Sequence, residues 1–152
     1  MKCSCLYFET LGILYFDIGD DVQSLESFEE SLRLRRLQFI VDFSASTWEM
    51  GETLFSMSKI YTKRQDTEMA LGLLEEAIKI MESEIGIDES SESTFPNNFQ
   101  RQQSLADPSR KKVREEKLLE CLSSYLQLIR EERGNDHPQT AVILIKLVSG
   151  FT

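Results

Sequence analysis

Apolar residues recur along the chain at steps of three and four, the spacing of one face of an α-helix. This periodicity runs from Phe8 to Ile18, is interrupted at residues 19–21, and continues from Leu25 to Phe39. It returns from Leu54 to Met81, with a second polar break at residues 64–66. Each stretch therefore predicts a helix, a tight turn and a second helix.

The two predicted helix pairs are in register with one another. Tyr15 and Tyr61 are separated by 46 residues, and so are Phe28 and Leu74. An offset that holds across both helices of a pair indicates an internal repeat. We therefore expect the same helix–turn–helix unit twice.

The chain after the second pair carries less of this pattern. A stretch rich in Ser, Asn and Gln predicts a flexible polar insertion. Asp107-Pro108, an N-cap followed by proline, marks the point where helix resumes. From Leu118 the second helix of a pair recurs without its first, and His137-Pro138 begins one more apolar helix. The expected organisation is a single domain with a hairpin at 5–40, a hairpin at 46–86, the insertion at 87–111 and partial repeats at 112–152.

These motifs resemble the tetratricopeptide repeat (TPR), a helix–turn–helix unit of about 34 residues. The likeness is carried by Leu11-Gly12-x-x-Tyr15 with Ser24-Leu-x-x-Phe28-x-x-Ser31-Leu32, and by Leu54-x-x-Met57-Ser58-x-x-Tyr61 with Ala70-x-x-x-Leu74-x-x-Ala77-Ile78. The longer spacing, with Gly134-Asn-Asp-His137-Pro138 between two helices, is similar to the kinesin-light-chain variety of these repeats. The resemblance implies an all-α fold of antiparallel hairpins stacked as a short α-α superhelix of about six helices. Armadillo- or HEAT-like helix pairs are the alternative, because their period is also in the forties.

Small residues stand where the helices of such a unit must approach closely. Gly12, Ala70 and Ala77 are expected at these crossings. Larger side chains, among them Phe28 and Leu74, are expected to fill the space between the helices.

Composition and charge narrow the class of partner. The 152 residues include 17 Lys or Arg against 26 Asp or Glu, a net charge of −9, and only 7 Gly and 3 Pro. Scarce Gly and Pro argue against a turn-rich β-sandwich and a glycine-rich nucleotide-binding fold. The negative charge argues against binding to nucleic acid or to an anionic membrane. A protein partner is therefore expected.

The N-terminal apolar run and the cysteines bear on the compartment. Residues 6–18 are too short and too often interrupted for a membrane span, and Glu9 falls where a secretory signal needs an unbroken apolar stretch. Three cysteines are an odd number, which suits a reducing compartment better than a disulfide framework. These features predict a protein of the cytosol or the nucleus, and we expect a cytoplasmic location.

No catalytic constellation appears in the sequence. His137 is the only histidine, and a place directly before a proline at a helix start explains it structurally. Cys3-x-Cys5 has no second pair at a zinc-like spacing. We therefore expect neither a metal nor a cofactor, and no enzymatic activity.

Two charged motifs have a structural and a functional interpretation. The basic cluster at residues 110–114 is followed by glutamates one turn later, which favours a solvated helix over an anion-binding patch. Ser104 follows Arg101 by three residues, a spacing that suits kinases which recognise basic residues. Ser104 is therefore a possible phosphosite.

The resemblance implies that the first helices of the hairpins line a groove and present side chains to a partner. The outward positions on these helices are Glu9, Ile13, Phe16, Asp17, Phe55, Lys59, Thr62 and Lys63. Phe55 is expected to be an apolar anchor, and Lys59 and Lys63, four residues apart, a basic stripe. A segment that combines apolar and acidic residues is the expected ligand.

The expected function is that of a non-enzymatic protein–protein interaction scaffold. Two alternatives stay open: an enzyme or regulatory subunit with the insertion as a lid, and a fragment of a longer TPR protein. The first helix and the last, residues 141–151, are apolar on most of their circumference. Formation of a homo-oligomer through these terminal helices is therefore also expected.

Overall fold

Six α-helices make up the part of the chain that the computed structural model describes, residues 2–42, 47–89, 108–134 and 136–149. The helices are α1 (Lys2–Ile18), α2 (Asp21–Val41), α3 (Trp48–Lys63), α4 (Thr67–Glu89), α5 (Pro108–Arg133) and α6 (Pro138–Ser149). Within those described ranges there is no strand. The predicted all-α class with about six helices is confirmed.

The predicted insertion at 87–111 overlaps the end of α4 and the start of α5. Its middle, residues 90–107, lies outside the described residues, and so does the possible phosphosite Ser104. The helices form two compact units, Met1–Ile80 and Met81–Thr152, and α4 runs through the boundary between them.

The α1–α2 pair packs through a glycine. A Cβ placed on Gly12 of α1 would lie 2.8 Å from ring atoms of Phe28 on α2. Two buried hydroxyls add to this contact: Ser24 Oγ donates to the Gly12 carbonyl at 2.6 Å, and Ser31 Oγ donates to the Cys5 carbonyl at 3.0 Å. The close approach predicted at Gly12 is confirmed, because a side chain there would collide with the Phe28 ring.

The core of the first unit lies among α2, α3 and the first part of α4. Its buried apolar residues are Leu25, Phe28, Leu32, Met50, Leu54, Met57, Ile60 and Ala77. Partly buried side chains pack against this core, namely Phe16, Phe39, Tyr61, Leu73 and Ile80. Each helix contributes one apolar stripe because its apolar residues recur at steps of three and four.

The two interhelical turns of this unit repeat one hydrogen-bond pattern at the predicted offset of 46 residues. The bonds of the α1–α2 turn, donor first, are Gly19 N–Phe16 O, Asp20 N–Tyr15 O, Ser24 N–Asp20 O and Gln23 N–Asp20 Oδ1. Those of the α3–α4 turn are Gln65 N–Thr62 O, Asp66 N–Tyr61 O, Ala70 N–Asp66 O and Met69 N–Asp66 Oδ1. Gly19 and Gln65 both have a positive φ, +86° and +63°. The repeat found in the sequence is therefore also a repeat of backbone structure.

The second unit contains the end of α4 together with α5 and α6. Its buried apolar residues are Met81, Cys121, Leu122, Tyr125, Leu126, Leu128, Ile129 and Ile143. Gly134 ends α5 with a φ of +83°. His137 Nδ1 accepts the Gln139 N–H at 3.2 Å at the start of α6. The histidine thus caps a helix, in agreement with the structural role expected for it.

Candidate partner-binding surface

A lysine at the C-terminal end of α3 reaches both the C-terminal end of α1 and the start of α2. Lys63 of α3 places its Nζ 5.5 Å from the centre of the Phe16 ring and 3.1 Å from Asp21 Oδ1. Arg64 Nε lies 4.0 Å from the other carboxylate oxygen, Asp21 Oδ2. Because the ring face and the carboxylate both attract the ammonium group, Lys63 links α1, α2 and α3.

This contact brings together residues of the two helices that were predicted to line a groove. Ile13 lies one turn before Phe16 on α1, and Lys59 lies one turn before Lys63 on α3. Five of the predicted binding residues are exposed, namely Ile13, Asp17, Lys59, Thr62 and Lys63. We call this set the α1–α3 face. This face combines apolar, hydroxyl and charged groups from two helices.

Phe55 is not part of that face. Its side chain is only 1% exposed, so it is not the accessible apolar anchor that the sequence predicted. Lys59 Nζ lies 4.5 Å from the centre of the Phe55 ring. The structure thus corrects the predicted role of Phe55: an aromatic residue at an outward helical position is buried, and its ring supports a cation at the surface.

Glu9 is paired within the first hairpin. Its carboxylate accepts a hydrogen bond from Arg35 of α2 at 2.6 Å, and the two side chains are 20% and 13% exposed. A carboxylate held by a guanidinium in a mostly buried pair joins α1 to α2. Glu9 therefore contributes to the packing of the first hairpin.

The predicted basic stripe is divided between two partners. Lys59 lies over the ring of Phe55, and Lys63 pairs with Asp21. The roles of Asp21 and Arg35 had no signal in the sequence. An acidic residue in the first turn of a helix is usual for dipole reasons, and a basic residue on a helix surface is ordinary, so neither indicates a long-range partner.

A surface ion pair lies on α2, outside the α1–α3 face. Arg33 donates hydrogen bonds to both carboxylate oxygens of Glu30, and this bonding holds the pKa of Glu30 below its ordinary value. The same contact raises the pKa of Arg33. Both groups are at the surface, and the pair follows the usual spacing of three residues along one helix.

Among the residues whose positions are described, no three His, Cys, Asp or Glu side chains form a possible metal cluster. None of the described helices has both the length and the apolar character needed to cross a membrane. Cys5 and Cys121 are buried free thiols.

Comparison of the chain with protein-family models and with curated proteins finds no match.

Proposed function

We propose that this protein is a non-enzymatic protein–protein interaction scaffold built from TPR-like repeats of the kinesin-light-chain variety, and that it binds a partner segment on the α1–α3 face. The proposal is supported by the recurrence of one turn structure at the 46-residue offset. The glycine crossing at Gly12 and the fully buried Ala70 and Ala77 also support it. Closely packed helix pairs of this kind present side chains on neighbouring first helices to a common partner.

One observation carries the choice of surface: the contact of Lys63 with Phe16 and Asp21. It joins the first helices of the two pairs, so a single ligand would contact side chains one turn away on each helix. Ile13 is 49% exposed on α1, and Lys59 is exposed on α3. An apolar group of the ligand would pack on Ile13 while an acidic group pairs with Lys59.

The chemistry of the ligand follows from these two residues. Because the chain has a net charge of −9, an acidic ligand is repelled by most of the surface and is oriented by the local cation at Lys59. A short segment that combines apolar and acidic residues is therefore the proposed partner. A cytoplasmic location is part of the proposal, and the buried free thiols of Cys5 and Cys121 support it because reducing compartments preserve thiols.

A peptide-display selection on the intact chain tests this function. We expect enrichment of apolar-acidic peptides whose affinity falls at least about tenfold for Lys59→Glu and for Ile13→Ser. The matched control is Lys79→Glu on α4, an exposed lysine that pairs with Glu75 along its own helix. It should change affinity less than about twofold.

Circular dichroism of each variant checks that the helices are retained. Peptides that bind both Lys59→Glu and Ile13→Ser with unchanged affinity would contradict the proposed surface. A library that yields no binder with apolar and acidic residues would contradict the proposed ligand chemistry.

A further inference from the structure

α1 carries a second apolar row, on the side opposite Gly12. The row consists of Tyr7, Leu11, Leu14 and Ile18, and we call it the outer row. Tyr7, Leu14 and Ile18 are 61%, 55% and 74% exposed, while Leu11 is half-buried. The spacing of four, three and four residues is the seam of a coiled coil, in which such side chains pack against a second helix.

The outer row is poor in competing polar groups. Thr10, which lies beside it, donates its hydroxyl to the Leu6 carbonyl at 2.8 Å, so that hydroxyl is already satisfied. Glu9 is held by Arg35 on the far side of the helix. The row itself has no charged side chain, so a helix can pack on it without burying an ion.

The exposed area is large for a single helix. The outer row exposes on the order of 400 Å² of side-chain surface. Each partner in a standard protein interface buries roughly 800 Å², polar rim included. Most of the apolar area that a stable dimer needs is thus present on α1 before any flanking polar atoms are counted.

The spacing of the outer row is the same in both directions along the helix. If a second α1 lies antiparallel, Tyr7 of one copy faces Ile18 of the other, and Leu11 faces Leu14. A surface that is complementary to itself closes into a two-fold dimer. The antiparallel arrangement also opposes the two helix dipoles and keeps the Asp17 carboxylates of the copies apart, whereas a parallel pair would bring them together.

We propose that the protein forms a two-fold dimer in which α1 packs antiparallel against α1 of a second copy through Tyr7, Leu11, Leu14 and Ile18. None of the four residues of this interface belongs to the α1–α3 face. Failure of the dimer and failure of the proposed partner site are therefore distinguishable, because Lys59→Glu should leave the dimer intact.

Sedimentation and light scattering of the full chain at micromolar concentration test the interface. The unmodified chain should be a dimer, and Leu14→Glu should raise the dimer dissociation constant at least about 100-fold, since each interface would bury two unpaired carboxylates. Ile40→Glu is the matched control, because Ile40 is exposed at the end of α2 and lies outside the outer row. If Leu14→Glu loses helix content, Ile18→Glu near the end of α1 is a second variant that should disrupt the dimer.

A charge exchange tests the orientation. Tyr7→Lys and Ile18→Glu should each weaken the dimer, and the double variant should restore it at least about tenfold over either single variant, because each lysine then faces a glutamate of the other copy. A parallel dimer would be weakened further by the double variant.

The proposal would be overturned by a monomeric unmodified chain at about 100 μM, by a dimer unaffected by both Leu14→Glu and Ile18→Glu, or by no restoration in the double variant. A dimer that is lost in Ile145→Glu and kept in Leu14→Glu would place the interface on α6 and also overturn it.

Discussion

The α1–α2 pair and the α3–α4 pair share a turn but use different chemistry where their helices cross. In the first pair Ser24 and Ser31 donate hydrogen bonds to carbonyls of α1. At the equivalent positions, 46 residues later, the second pair has Ala70 and Ala77, which have no hydroxyl and are fully buried. Small buried side chains are thus common to the two pairs at these positions, whereas the hydroxyl contacts belong to the first pair.

The same two pairs differ at a second set of equivalent positions. Glu9 and Arg35 form the mostly buried ion pair of the first hairpin. The residues 46 positions later are Phe55 and Met81, and both are buried. Two positions of the repeat thus carry either the members of an ion pair or buried apolar side chains, so the side-chain type is not repeated at them.

The largest expected effect on stability comes from a substitution at the glycine crossing of the first pair. Gly12→Ala should lower the free energy of unfolding by about 1–2 kcal/mol, because the new Cβ would lie 2.8 Å from the buried Phe28 ring. Gly72→Ala on α4 is the matched control: its Cβ meets nothing within 4 Å, so it should stabilise the helix by up to about 1 kcal/mol. Urea unfolding followed by circular dichroism measures both, and equal signs for the two variants would contradict the close crossing.

The next effect tests the ion pair against its apolar counterpart. Glu9→Gln should cost about 1–2 kcal/mol, since it leaves the Arg35 guanidinium mostly buried without its carboxylate. The double variant Glu9→Phe with Arg35→Met, which introduces the residue types found 46 positions later, should recover stability to within about 1 kcal/mol of the original chain. A double-mutant cycle in urea gives the coupling. Additive losses would show that the two side chains do not act as a pair.

Substitutions at the two turns should change stability by smaller amounts and in opposite directions. Gly19→Ala should destabilise the first turn by about 1 kcal/mol, because a Cβ is strained at a φ of +86°. Gln65→Gly should stabilise the second turn by about 0.5 kcal/mol, because it removes the same strain at a φ of +63°. Thermal unfolding midpoints of the two variants should therefore move in opposite directions. A shift of both midpoints in one direction would count against a shared turn geometry.

The smallest effect concerns surface charge and pH. Glu30 and Arg33 of α2 correspond to Glu76 and Lys79 of α4, but Glu76 lies 3.4 Å from Arg36 instead. Because Arg33 lowers the pKa of Glu30 from its ordinary value of 4.5, the contribution of this pair is present above that pH and is lost as the pH falls. Carboxyl NMR titration of Arg33→Ala should return the pKa of Glu30 toward its ordinary value, and the loss of stability at neutral pH should be the smallest of the four effects because the pair lies at the surface. An unchanged Glu30 titration in Arg33→Ala would refute the assignment of the shift to this arginine.

Much of the fold is predictable from the chain because it depends on local periodicity. Steps of three and four define the helices, and a polar break with Gly19 defines a turn. The offset of 46 residues predicts that the second turn copies the first, although Gln65 and not glycine occupies its positive-φ position. Small residues such as Gly12 mark the crossings, because close packing leaves no alternative to a small side chain.

The binding residues were less predictable, and the reason is physical. Helical spacing assigns Phe55 and Glu9 to an outward side, yet whether a neighbouring helix covers that side depends on packing between helices distant in sequence. The structure buries Phe55 and pairs Glu9 with Arg35, 26 positions away. Helix content and turns are thus determined by the sequence itself, since each depends on contacts within a few residues. The repeat is visible in the sequence as an offset of 46 residues. Only the tertiary structure decided which side chains of those helices are exposed, because exposure depends on the elements that pack over each position.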